Sequence, residues 1–187
     1  MIELQNELKK IMSEKRFIHS LGVMEEAVKL AKHYGVDENK ARIAGLMHDC
    51  AKDFDDMLPL CKKYNLKLDD VMLSERKLIH APLGAEYAKH ELGITDFDIY
   101  DAIYYHTTAK ADMPLLTKII YVADFIEPNR TFEGVQPLRE LAYSDLDKTI
   151  VAGLNFTIEQ LVKRGRMLHS RTVEARNNII EKMRCII

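Results

Sequence analysis

No run of apolar residues in this chain approaches the roughly 20 needed to cross a membrane, and 30 % of its 187 residues are charged. Cysteine is scarce, with Cys50, Cys61 and Cys185 only. An odd count without a repeated spacing is no disulfide framework, and free thiols suit a reducing compartment. The start, Met1-Ile2-Glu3-Leu4-Gln5-Asn6-Glu7, is acidic and interrupted, unlike the basic and then apolar opening of a secretory signal. Nor is there an excess of positive charge: 27 basic side chains face 29 acidic ones, a formal net charge of −2. That excludes a binder of bulk nucleic acid, which is strongly basic, but not a local basic pocket for a small polyanion. Glycine (8) and proline (5) are few and read as punctuation between helices. No repeat, low-complexity linker or alternating run long enough for a strand is found. These absences predict a soluble cytoplasmic protein, most simply one domain over residues 1–187.

What is present is helical periodicity, with 47 % apolar residues to build a core. Residues 3–12 place Leu4, Leu8 and Ile11 on one face, and residues 16–34 place Phe17, Leu21, Met24, Val28 and Ala31 at spacings of three and four. Gly35 offers a C-cap. Asp37 offers an N-cap for a helix that carries Ala41, Ile43, Ala44, Leu46 and Met47 and is expected to continue through Asp53. Further helices are expected over 55–64, over 81–91 with Pro82 in the first turn, and from Thr95 or Asp96 to Tyr105. Others follow from Pro114 to about Phe125, from Asp145 to about Arg164, and from Thr172 onward. The stretch 126–137 is the longest irregular one and is too rich in specific polar groups for a spacer.

At the end of the Asp37 helix, His48, Asp49, Lys52 and Asp53 bring cation- and phosphate-binding groups within six residues. On a helix, His48 would stand over Lys52 and Asp49 over Asp53. An imidazole beside a carboxylate suits a borderline divalent metal. A lone His-Asp pair is more simply a core imidazole next to a helix-terminal acid, so the other residues decide. Of seven histidines, His19 has Gly22 three residues on, His80 precedes Ala81-Pro82-Leu83-Gly84, and His106 ends Ile103-Tyr104-Tyr105. His33 fits a favourable cation at a helix C-terminus, His90 reads as solvated, and His169 has no evident place. Asp124 lies in Ile119-Ile120-Tyr121-Val122-Ala123-Asp124-Phe125-Ile126, where an acid is costly unless paired or ligated. Residues 163–184 carry seven Lys and Arg against Glu174 and Glu181. Such a run is usually a solvated face, with some members able to reach distal phosphates.

The order His19, His48-Asp49, Asp124 resembles that of the HD superfamily of metal-dependent phosphohydrolases. The blocks Arg16–Val23, Gly45–Lys52, His80–Ala85, His106–Thr108 and Tyr121–Arg130 together resemble the bacterial HD-domain symmetrical bis(5′-nucleosyl)-tetraphosphatases, and the likeness spans essentially the whole chain. The resemblance implies an all-α HD-domain helical bundle. It implies His19, His48, Asp49 and Asp124 on one metal, with Asp49 bridging to a second held by His80 and His106. The ion would be iron by analogy, with zinc or manganese as alternatives, one or two per chain. The substrate would be a dinucleoside polyphosphate, split by activated water into two nucleoside diphosphates. Lys52 and Arg130 would supply cations for phosphate, and Asp53 would orient the water or anchor Lys52. Arg16, Glu127 and Asn129 would join substrate binding, the latter two by positioning Arg130 or the nucleoside. A homodimer is allowed. Two alternatives stay open: an HD phosphohydrolase for another nucleotide, and a non-catalytic nucleotide sensor.

Overall fold

The computed structural model describes residues 1–185, and among them every regular element is helical. In order these are α1 (Ile2–Ile11), α2 (Glu14–Tyr34), α3 (Glu38–Met47), α4 (Leu58–Lys63), α5 (Asp70–Ser74), a 3-10 turn (Arg76–Leu78), α6 (His80–Glu91), α7 (Phe97–Tyr105), α8 (Leu115–Ile126), α9 (Val135–Ala142), α10 (Leu146–Lys163) and α11 (Ser170–Arg184). The starts are set by side chains that satisfy orphan N–H groups. Asp37 accepts from Asn39 and Lys40, Asp96 from Asp98 and Ile99, and Asp145 from Lys148. Gly35 closes α2 in the left-handed conformation, φ 72°, as a C-cap glycine does.

α8 is the central rod. Leu116, Ile119, Ile120, Val122, Ala123 and Ile126 are all buried, because α2, α7 and α10 pack around it, with α3 beside α2 and α11 outside α10. The stripe of α2 that is fully buried runs Val23, Ala27, Leu30 and Ala31. Gly45 lets α3 meet α2 backbone to backbone, since a Cβ there would lie 2.9 Å from the Met24 Cα.

Four sequence expectations change. α3 ends at Met47, and residues 48–53 form successive tight turns, with Cys50 N–H donating to Met47 O and Lys52 N–H to Asp49 O. The four-residue stacking of His48 on Lys52 and of Asp49 on Asp53 therefore does not occur. Gly22, Gly45, Gly84 and Gly153 lie inside helices rather than between them, because close packing, not chain reversal, selects them. Pro59 and Pro137 also lie within helices, while Pro82 stands in the first turn of α6 as expected. α5, the 3-10 turn and α9 were not foreseen, each being too short for a periodic signal. Cys50 and Cys61 are buried and free.

Candidate metal centre

Helix ends supply most of the site. His19 comes from the second turn of α2, His48 is the C-cap of α3 with Asp49 next, His80 opens α6, His106 is the C-cap of α7, and Asp124 stands in the last turn of α8. One local device orients three of the four imidazoles. His48 Nδ1 lies 2.8 Å from Gly45 O, His80 Nδ1 2.5 Å from Lys77 O and His106 Nδ1 2.8 Å from Ile103 O. In each the ring turns back on the carbonyl three residues earlier. His19 Nδ1 instead faces the Glu127 carboxylate at 3.1 Å, across 108 residues of chain. Gly22 leaves the room for that acid: a Cβ there would come 2.5 Å from Glu127 Oε2.

A carbonyl or carboxylate oxygen only accepts, so these contacts assign the proton to Nδ1 and leave each Nε2 with a bare lone pair. The four Nε2 atoms then converge in two pairs. His19 and His48 are 3.3 Å apart, and His80 and His106 are 3.1 Å apart. The Asp49 carboxylate stands between the pairs. Its Oδ1 is 3.0 Å from His80 Nε2 and 3.3 Å from His106 Nε2, and its Oδ2 is 3.5 Å from His48 Nε2 and 3.8 Å from His19 Nε2. Asp124 Oδ1 joins the second group at 3.0 Å from His19 Nε2 and 3.7 Å from His48 Nε2.

Bare lone pairs so close repel unless a cation sits among them. Two ligand nitrogens about 2.0–2.1 Å from one tetrahedral ion are roughly 3.3 Å apart, which is the spacing seen. Protein contacts at the far nitrogen of each ring are what metal-ligating histidines show. The donor set thus fits a divalent metal.

Electrostatics agree. His48 is fully buried, and burial pushes its pKa down to about 3, so the ring stays neutral as a ligand must. Burial lowers His80 as well. Asp124 is held well below the ordinary carboxylate range, with burial outweighed by charges that include the Arg130 guanidinium nearby.

Cations ring the centre. Arg16 Nη1 reaches Asp49 Oδ2 at 2.9 Å, and Lys52 Nζ spans both Asp49 oxygens at 3.1 and 3.0 Å. Arg130 Nη2 donates to Asp124 Oδ1 at 2.6 Å. Asn129 N–H and Nδ2 donate to Glu127 Oε2, so Asn129 holds Glu127. Asp53 turns away from Lys52. It accepts from Ser13 N–H and Oγ–H at 2.9 and 2.7 Å and lies 3.6 Å from Arg16 Nε, so it does not anchor Lys52. A cavity of about 720 Å³ borders this side, walled by Arg16, His19, Glu127, Asn129, Arg130 and Phe132.

Two contributors escaped sequence reasoning. Arg139, on α9, donates to the carbonyls of Ile126, Glu127 and Arg130 at 2.8–2.9 Å and so fixes the loop that presents Glu127 and Arg130. Buried Asp101 accepts from Lys110 at 2.6 Å and Thr117 at 2.7 Å, which pins the segment after His106. Nothing local marks either one, because their partners lie 9 to 16 residues away and are met only through tertiary packing. The other histidines lie elsewhere. His33 packs edge-on against Tyr34 and Tyr143, His90 stacks on Tyr64 beside Glu86, and His169 caps α11 with Nε2 2.8 Å from Asp69.

Comparison with known proteins gives concordant results. Residues 16–129 match the HD domain family. The chain is 42 % identical over 171 residues to a symmetrical bis(5′-nucleosyl)-tetraphosphatase of Halalkalibacterium halodurans, covering 90 % of this chain and 91 % of that protein. It is 40 % identical over 161 residues to the Bacillus subtilis protein of the same name, covering 85 % and 86 %. A Clostridium acetobutylicum crystal structure, described as a "predicted HD superfamily hydrolase involved in NAD metabolism", matches with TM-score 0.93 and 43 % identity over 96 % of each chain.

Proposed function

The chain belongs to the HD-domain family, and on that premise we propose that it is a symmetrical bis(5′-nucleosyl)-tetraphosphatase, cleaving diadenosine tetraphosphate and related dinucleotides into two nucleoside diphosphates. The observation that carries this is the division of the Asp49 carboxylate between two imidazole pairs. When bound there, divalent metal supplies a lowered pKa for the attacking water and draws charge from the phosphoryl oxygens.

The chain's own residues do the rest by position and charge, which is most of what phosphoryl transfer asks of a protein. His19, His48, Asp49, His80, His106 and Asp124 are the ligand set. Lys52 and Arg16, now on Asp49, and Arg130, on Asp124, are the cations available to a polyphosphate. Arg130 can hold two oxygens at once, whereas Lys52 acts as a point charge. Glu127 keeps the His19 proton on Nδ1, and Asn129 keeps Glu127 in place. Four imidazoles with two carboxylates suit iron or zinc better than magnesium, which prefers oxygen, and iron is preferred by analogy with the family, with zinc or manganese as alternatives. Free buried thiols suit a cytoplasmic setting, and among the described residues no helix is long and apolar enough to cross a membrane. We take residues 1–187 as one working unit.

Product analysis is the test. Protein purified without chelator should carry transition metal and turn diadenosine tetraphosphate into ADP alone; ATP plus AMP would refute symmetrical cleavage. The description of the Clostridium structure supports a second reading, hydrolysis of another nucleotide. NAD in the same assay, turned over faster than the tetraphosphate, would establish it instead.

A further inference from the structure

We infer that Phe132 and Ile18 form the seat for one base of the dinucleotide, and that this seat takes the base by its flat face rather than by its hydrogen-bonding edge, so that adenine and guanine are accepted alike. This rests on the activity proposed above. Phe132 and Ile18 wall the same cavity of about 720 Å³ as the ligand His19 and the cations Arg16 and Arg130. The cavity therefore joins the ligand cluster directly.

Two elements build the seat. On α2, Ile18 and His19 follow Lys15 by three and four residues, so the three share one helix face. Ile18 is 49 % exposed there, left out of the core that its neighbour Phe17 joins. From the loop after α8 comes Phe132. It is half-buried and packs on Phe125 and Phe156, with ring centroids 5.1 and 5.2 Å away. Aromatic packing of this kind sets the orientation of the ring. Two residues earlier, Arg130 is held by Asp124 and by Arg139. Residues two apart are separated by at most about 7 Å along the chain, so one nucleotide can meet both. With its phosphate at Arg130 and the ligand cluster, its base lies on Phe132.

The polar groups of the cavity argue for the face over the edge. A site discriminates strongly when the wrong ligand leaves a buried polar group unpaired. Here Asn129 Nδ2 is committed to Glu127 and the Ser13 hydroxyl to Asp53. Glu14 and Thr131 are exposed to water, where a lost hydrogen bond costs little. An aromatic ring, by contrast, stacks on any base, because every base has a π-face.

The chain has no tryptophan, so Phe132→Trp places a single reporter in the seat. In the metal-loaded protein ADP and GDP should each quench its emission saturably, with midpoints within about tenfold of one another, and inorganic pyrophosphate should not. Phe132→Ala should raise KM for diadenosine tetraphosphate about tenfold or more, as for one lost base stack, with bound metal per chain unchanged, and Phe132→Tyr should restore it. Ile18→Asp, at an exposed position, should raise KM in the same direction and tests the seat even where Phe132→Ala disturbs the aromatic trio. Emission indifferent to both nucleotides overturns the seat, as does an unchanged KM in both Phe132→Ala and Ile18→Asp. Wild-type kcat/KM values for diadenosine and diguanosine tetraphosphate about 100-fold or more apart overturn recognition by the face. Wild-type protein inert on every dinucleotide defeats the proposed activity instead, and the contrast between ADP and pyrophosphate still reports on the seat.

Discussion

The two ends of the metal centre are built differently. At the Oδ1 end, His80 and His106 are 2 % exposed, and each is oriented by a carbonyl of its own chain three residues back. At the Oδ2 end, buried His48 is set by its own Gly45 carbonyl in the same way, but His19 and Asp124 are partly open and are held by side chains of the loop after α8. Glu127 holds His19, Arg130 holds Asp124, and Arg139 holds the loop carrying both. The first end is a rigid consequence of helix termini. The second depends on one loop, and it is also the end that the cavity of about 720 Å³ borders.

The largest effect should come from the residue common to both ends. Asp49→Ala removes an oxygen ligand from each side. Losing metal forfeits several kcal/mol of transition-state stabilisation, so turnover should fall about 10³-fold or more, and metal analysis should show occupancy falling with it. His106→Ala and His19→Ala then separate the ends. Each should cost activity while leaving part of the bound metal, and metal stoichiometry by mass spectrometry reads the difference. Loss of all metal from either variant would mean that the ends are not independent.

Arg139→Met should weaken the Oδ2 end alone. Outer partners of metal ligands are typically worth about 10- to 100-fold in affinity or activity, so chelator competition should show one weakened site, not two. Lys52→Ala should keep its metal and lose about 10- to 100-fold in kcat/KM, as expected for one charge-assisted contact; normal turnover would remove Lys52 from the phosphate site.

The smallest effect belongs to Asp53, which serves the start of α2 rather than the reaction. Asp53→Ala should cost about 1–2 kcal/mol in urea unfolding, as for a lost cap. Partial burial would raise this carboxyl, but the Ser13 N–H and hydroxyl and Arg16 lower it. A lowered folded pKa stabilises above the unfolded value, about 3.9, and that contribution disappears as pH falls through the folded value. The gap between wild type and variant should therefore be full at pH 6 and close in acid.

What was legible in the sequence follows the same division. Helices with a repeating apolar stripe, such as α2, or with an Asp cap, such as α3, α7 and α10, could be placed to within a residue or two at their starts. The six candidate ligands stand in the short blocks that marked them, because three of the imidazoles are set by their own helix ends. The turns after Met47 were not legible. Their residues continue the helical pattern, yet Lys52 closes back on Asp49 through an ion pair. Nor were the Gly22–Glu127 and Arg139–loop contacts, which join positions about 105 and 10 residues apart through tertiary packing and leave no periodic trace.

The most direct test of the central claim is anomalous X-ray scattering from crystals of the metal-loaded protein. The account predicts a peak on each side of the Asp49 carboxylate, one among His19, His48 and Asp124 and one between His80 and His106. Crystals of active protein with no peak among these six side chains would contradict it.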